Sequence, residues 1–499
     1  MSSNPYRVLT ETFLLGVIVY LLVYKTSQPK GKPKLSLAER KQLVDDWKPI
    51  PLAPRLDEIS STAERALLGF DNRVVVSVNP PYMTLTSRTG GKKGERKVLN
   101  FSTLDHLSLS TTPEIQTSAK LAMEKYGFGS CGPRGFYGTI DSHLFLENKV
   151  AKMFGTPSSI MYSDGASTVS STISAFAKRG DLIVVDSGVN ESVMTGVTLS
   201  RGNCKVFKHN DMEDLREVLE KIRKDDRKLG RKFHEQRRFI VVEGLYRNYG
   251  HICPLPQIMA LKNEFKFRLI MDDSYSFGTL GPRGLGILDH WGMLKSDADK
   301  RQMVNDDSES SNYKGEQEVL GGVEIMCVSM ENSVGSVGGV TLGSSEVVDH
   351  QRLSGSGYCF SASTPPFLAN CAVTSLEIIE KDGPKLLNKL GANVKLLVKG
   401  LKGIKGLKVL SDDQSALVFV GFEDGIAVSQ EDEADKMSSI QTECDAHGVS
   451  LVYTGDHVKG PLLLVQPDSC LRLSVSVSHD AETIAECLKV IKRVCEEIL

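Results

Sequence analysis

The sequence predicts an α/β protein with a largely parallel sheet, on three observations. Short apolar runs recur along the 499 residues, including LIVVD at 182, FIVVE at 239, RLIMD at 268 and VEIMCVS at 323. Helical stretches such as MEDLREVLEKIRK lie between them. The runs end in acidic or hydroxyl residues, and glycine-rich turns follow two of them. Strands buried on both faces read as continuous apolar runs, and their alternation with helices is the pattern of crossover-connected parallel strands.

Taken in order, the chain opens with Thr12 to Tyr24, TFLLGVIVYLLVY, thirteen residues without a charge. A bilayer span takes about 20 residues, a deficit that tilt and local thinning can absorb. A cleaved signal peptide would want a basic start and small residues at its end, whereas only Arg7 precedes this run and Tyr20 and Tyr24 close it. The expectation is an uncleaved membrane anchor over 1–27, with a signal peptide and an interfacial helix as alternatives. Lys25, Lys30, Lys32 and Lys34 would hold its trailing end in the cytosol. Residues 28–97 read as a membrane-proximal linker and N-terminal segment, with a possible short helix in KPKLSLAERKQLVDDW. A large domain is expected over 98–384. A smaller C-terminal α/β domain is expected over 385–499, carrying LKVLS, ALVFVGFE and CLRLSVSV. Two charged insertions, from 221 and from 295, read as solvated loops.

Composition narrows the chemistry. A net charge of -2 and the absence of a long basic block interleaved with aromatics argue against nucleic acid as a partner. The ten cysteines are scattered without a C-x-x-C pair or a histidine at metal-ligand spacing, so no metal site is expected and reduced thiols are.

Ligands of open α/β sheets bind beyond the carboxyl ends of strands. Asp272 ends one such run and is followed by glycines at 278, 281 and 284. A carboxylate there suits the protonated ring nitrogen of pyridoxal phosphate, and equally a structural turn. A second glycine-dense stretch, GSCGPRGFYGTIDSHLFLE from 129, contains Arg134, which can grip a carboxylate in a fork. Cys131 within it reads as a small buried residue, since nothing nearby in sequence lowers its pKa.

In combination these features become specific. GSCGPRGFYGTIDSHLFLE, DDSYSFGTLGPRGLG at 272–286 and GSVGG at 335–339 resemble the α-oxoamine synthases. These are fold-type I pyridoxal-phosphate enzymes that condense an amino acid with an acyl-CoA. The resemblance runs from about Val98 to the end. It implies a large mostly parallel-sheet domain with a smaller C-terminal domain, and a site shared between two subunits. In catalytic members the lysine that binds the cofactor lies just before the glycine loop, where this chain has Asn332. A delocalised amide nitrogen cannot attack an aldehyde, and no lysine lies between Lys314 and Lys381. Asn190 and Tyr275 stand where the family carries histidines.

The resemblance therefore implies a subunit that is not independently catalytic, paired in a heterodimer with a lysine-bearing homologue that holds the pyridoxal 5'-phosphate. Asp272 is then a vestigial or weak cofactor contact. Ser361 and Ser363 in FSASTPP would reach the partner's phosphate. Cys131, Gly132 and Arg134 would line the interface, and Arg472 matches the position that binds the substrate carboxylate. Packing and salt bridges are the alternative roles for Asp272 and Arg472. NFSTLDHLSLS departs from the family's usual motif, so residues 104–108 carry no family role. Location in the endoplasmic reticulum membrane, single-pass with the main domain cytosolic, is implied in the same way. Membrane lipid and small regulatory membrane proteins are further possible partners. An active homodimeric synthase and a non-enzymatic lipid-pathway scaffold are the competing readings.

Overall fold

A computed structural model of the chain describes residues 5–26, 36–48, 73–87, 94–232, 235–294, 319–455, 464 and 468–499. The chain divides into two compact units, Met1–Ile59 and Ser60–Leu499. In the first, Pro5–Thr26 is a helix of 22 residues with Phe13, Leu14, Leu15, Ile18, Leu21 and Leu22 all exposed. Among the described residues no helix is long and apolar enough to cross a membrane. The expected short helix is present as Leu37–Asp45. Its start is set by a capping box, in which Ser36 Oγ accepts from Glu39 N and Glu39 returns the bond to Ser36 N. Lys30, Lys32, Lys34, most of the linker and the insertion from 295 to 318 fall outside the described residues.

Among its described residues the second unit holds three sheets. The strands β1 (Arg73–Asn79), β2 (Tyr82–Ser87) and β3 (Arg96–Asn100) form an antiparallel meander. The central sheet comprises β4 (Ser158–Tyr162), β5 (Leu182–Asp186), β6 (Asn203–Phe207), β7 (Arg238–Glu243), β8 (Arg268–Asp272), β9 (Ile325–Ser329) and β10 (Gly339–Gly343). Its spatial order is β4-β10-β9-β8-β7-β5-β6. Only β10 runs against its neighbours. The carboxyl ends of β4, β5, β7, β8 and β9 therefore share one edge. The third sheet joins β11 (Leu407–Val409), β12 (Leu417–Phe422), β14 (Val452–Thr454) and β15 (Cys470–Ser474). Between β12 and β14 in sequence, β13 (Val449–Ser450) joins the meander instead, pairing in parallel with β3.

The helix Pro366–Leu401 packs on Pro113–Tyr126, Asp141–Phe154 and the terminal helix Ala481–Ile498. The divide expected between 384 and 385 falls inside this helix. One continuous apolar core runs from Leu99 through the central sheet to Cys495. The stretch from 221, read as a solvated loop, is corrected by the structure: as far as Leu229 it is the second half of the helix Met212–Leu229. Leu215, Leu219 and Ile222 recur at helical spacing and are buried, and Asp226 pairs with Arg238 at 2.7 Å.

Candidate functional site

A cleft of about 210 Å³ opens at the carboxyl edge of the central sheet, lined by Gly165, Asn190, Arg247, Asp272, Tyr275 and Asn332 among others. Asp272 ends β8 and is nearly wholly buried. One of its oxygens accepts from Asn190 Nδ2 at 3.1 Å and the other from Ser274 N at 3.1 Å. Burial raises its pKa against the opposing pull of these hydrogen bonds and the Arg247 charge. Asn190 has two tasks, because its Oδ1 also accepts from Ser192 N and Val193 N and so caps the helix Glu191–Ser200.

Glu243 stands beside Asp272 in register at the end of β7. It accepts from Asn190 N and Arg247 N, yet full burial and the neighbouring Asp272 push its pKa up to about 8. The folded chain thus keeps this proton to about pH 8, while the unfolded chain releases it near 4.5. Between those values the folded state binds more protons, so stability falls as pH rises, by at most about 1.4 kcal/mol per unit, and the dependence ends above the folded pKa. Glu243→Gln removes this dependence. Its stability relative to wild type, from urea unfolding, should improve steadily from pH 5 to pH 8; a constant difference would show Glu243 ionised throughout.

Asn332 follows β9 and is buried, with Nδ2 donating to Ser274 O at 2.9 Å. Glu331, exposed at the cleft mouth, accepts at Oε1 from Gly165 N at 3.0 Å. Gly165 opens the helix Gly165–Phe176, so this carboxylate sits on the helix's N-terminal positive end. Arg247 pairs with Glu191 at 3.0 Å. Tyr275, also at the cleft wall, has its pKa raised to about 12 chiefly by burial. Arg472 on β15 donates from Nη2 to Ser102 O at 2.9 Å, while its Nε is buried without a hydrogen-bond partner among the described residues. Burial lowers the pKa of this guanidinium, with Tyr275 and Arg247 both close enough to perturb it.

A second group forms around the 129–138 loop. Ser363 donates from both N and Oγ to Gly132 O at 3.0 Å, and Ser130 Oγ returns a bond to Ser363 O at 3.0 Å. Ser361 Oγ lies 3.0 Å from Ser163 Oγ, two residues before the cleft's Gly165. The two segments singled out separately in sequence are thus one structure. Arg134 makes the fork its side chain suits, but the carboxylate is Glu147 of its own chain, at 2.9 and 3.1 Å. Cys131, expected to be buried, is exposed with φ 57°. The loop turns outward here, and Phe128, Phe136 and Tyr137 are also largely solvent-facing.

Sequence reasoning passed over Glu331, Arg247 and Glu243. The acidic end of FIVVE was a signal for Glu243, matching that for Asp272. Glu331 looks like any surface charge until the helix start is placed against it.

The cleft does not fit pyridoxal phosphate. It presents an amide where the cofactor aldehyde needs an amine, and the acid suited to the ring nitrogen is already bonded to Asn190. A phosphate at the Gly165 N–H would meet a carboxylate.

The aminotransferase class I and II family matches residues 96–491. The chain is 36% identical over 493 residues to long chain base biosynthesis protein 1 of Arabidopsis thaliana, covering 97% of this chain and 91% of the relative. It is 36% identical over 504 residues to serine palmitoyltransferase 1 of Dictyostelium discoideum, covering 100% and 96%. Among solved structures it resembles Sphingomonas wittichii serine palmitoyltransferase, with TM-score 0.70, 23% identity and coverage of 87% and 96%. It also resembles a structure of SPT with PLP, with TM-score 0.71, 22% identity and coverage of 87% and 96%. These two likenesses speak for the fold.

Proposed function

The chain belongs to the aminotransferase class I and II family, alongside the serine palmitoyltransferase 1 and long chain base 1 proteins, and from that premise we propose that it is the non-catalytic subunit of a serine palmitoyltransferase. The complex acts in sphingolipid long-chain-base synthesis: L-serine condenses with palmitoyl-CoA to give 3-ketodihydrosphingosine, carbon dioxide and CoA. Pyridoxal phosphate supplies the electron sink for that carbon–carbon bond formation, and it is held by the lysine-bearing partner, long-chain-base subunit 2. One observation carries the silent role, the buried Asn332 amide bonded to Ser274 O in the cleft.

What this chain brings is shape and position. Its 129–138 loop, pinned by Ser363 and by the Arg134–Glu147 pair, offers Cys131, Phe136 and Tyr137 outward to the partner's site. The exposed apolar side chains of Pro5–Thr26, a helix about 33 Å long, support attachment to the endoplasmic reticulum membrane with the larger unit in the cytosol.

The test is borohydride reduction of the complex purified from its own cells, with the pyridoxyl-lysine mapped by mass spectrometry. The label is expected on the partner alone. A label on any lysine of this chain would overturn the silent-subunit reading.

A further inference from the structure

Resting on that reading but going beyond the missing lysine, we infer that this chain fills its own cofactor site with internal substitutes and so excludes pyridoxal phosphate even as a non-covalent ligand. Three contacts carry this. Asn190 Nδ2 donates to Asp272, giving that acid an uncharged donor of its own chain in place of a protonated ring nitrogen. The Glu331 carboxylate accepts the Gly165 N–H, placing an anion of the chain at the start of a 12-residue helix beside the cleft. Asn332 is tied to Ser274 O, the carbonyl two residues after Asp272, so both asparagines converge on the same turn.

Geometry reinforces the second contact. A Cβ built on Gly165 would lie 3.3 Å from Glu331 Oε2 and 2.8 Å from Ser329 Oγ, so the carboxylate crowds the backbone here. Glu331 N is held in turn by Ser329 Oγ at 3.0 Å, which steadies the acid's backbone at the end of β9. Asp164, the helix cap, accepts from Ser167 N at 2.7 Å and adds a second acid to the same terminus. A phosphate dianion arriving there would find the Gly165 donor taken and two carboxylates nearby. Like charges at hydrogen-bonding range repel even at this solvent-exposed mouth, and the repulsion adds to the loss of the Gly165 donor. A helix start that ordinarily favours anions is thereby made hostile to one from outside.

The experiment is a count of cofactor in the intact complex. Purified complex is titrated with pyridoxal 5'-phosphate, and the bound amount is measured by alkaline release after rapid desalting and by borohydride fixation. Wild type should hold one cofactor per pair of chains, all fixed to the partner, with no second site filled at millimolar ligand. Glu331→Ala should gain a second, reversible, non-fixable cofactor, bound at least about 10-fold more tightly than in wild type. Glu331→Asp, which keeps the charge, should stay closed. Two outcomes would sink the inference: a second exchangeable cofactor in wild type, or no gain in Glu331→Ala. The wild-type count alone can overturn it if the variant misfolds. A cofactor fixed covalently to this chain is a different result, and it would mark failure of the silent-subunit reading instead.

Discussion

Arg134→Met should destabilise the chain by about 3–5 kcal/mol, the usual consequence of leaving a buried charge without its partner. The two side chains of the Arg134–Glu147 pair are only 4% and 6% exposed. The guanidinium also donates from Nε to Thr139 Oγ1 at 3.0 Å and lies 5.4 Å from the centre of the Tyr358 ring. With Arg134 gone, Glu147 keeps, among the described residues, the Met161 N–H at 2.8 Å on a carboxylate buried between the helix Asp141–Phe154 and β4. Adding Glu147→Leu should recover more than half of the loss, since an apolar pair of similar volume avoids the desolvation of both ions. Urea unfolding of the complex, followed by a signal from this chain, would measure both. If the double variant is no more stable than the single, the cost lies in lost packing and loop anchoring and the uncompensated-charge account fails.

The same pair shows how far the sequence could be read. Arg134 was visible as a gripping residue, but although Glu147 closes the same glycine-dense stretch, spacing alone did not pair the two: the contact depends on how the loop folds back on the helix Asp141–Phe154. Fold elements were legible where burial is total: β5, β7, β8 and β9 are apolar because both faces are covered. They were missed where that cause is absent. The strand β6 shows this, lying at the sheet edge with four of its five residues exposed; β10, GVTLG, is fully buried and was missed for a different reason, its small, glycine-flanked sequence. The pairing of β13 with β3 joins Val449 to Leu99, a contact that no window of sequence contains. The charge run from 221 misled because the helix legible in MEDLREVLEKIRK continues through it to Leu229, where the buried position is the charged Asp226 and no apolar residue marks the face. Cys131 misled because cysteine is usually buried, whereas this one turns outward on a loop with positive φ. In the cleft, Asp272, Asn190 and Asn332 were found by motif. Glu331 acquires meaning only when β9 brings it to the start of the helix Gly165–Phe176.

Gly138→Ala should lower the activity of the assembled complex by about 100-fold, the scale on which a shift near 1 Å in a positioning element acts. A Cβ at Gly138 would fall 2.0 Å from Gly132 O, 2.5 Å from Gly132 C and 2.6 Å from Pro133 O. All three are backbone atoms, so no side chain can swing aside. The turn is closed by Phe136 N and Gly138 N, which both donate to Pro133 O at 2.9 and 3.0 Å, and relief therefore requires opening it. Gly132 O is also the acceptor for Ser363 N and Oγ, and its displacement would carry the 361–363 segment with it. Gly135→Ala is the control for this chain's own folding: a Cβ there meets nothing of its own chain within 4 Å, and it should leave the stability of this chain unchanged. Activity per assembled complex separates two accounts of the loop. If Gly138→Ala weakens folding or assembly but the surviving complex turns over at the wild-type rate, the loop serves only this chain's stability. If assembled complex is inactive, the loop shapes the partner's site, because this chain's own cleft offers only an amide where turnover needs an amine.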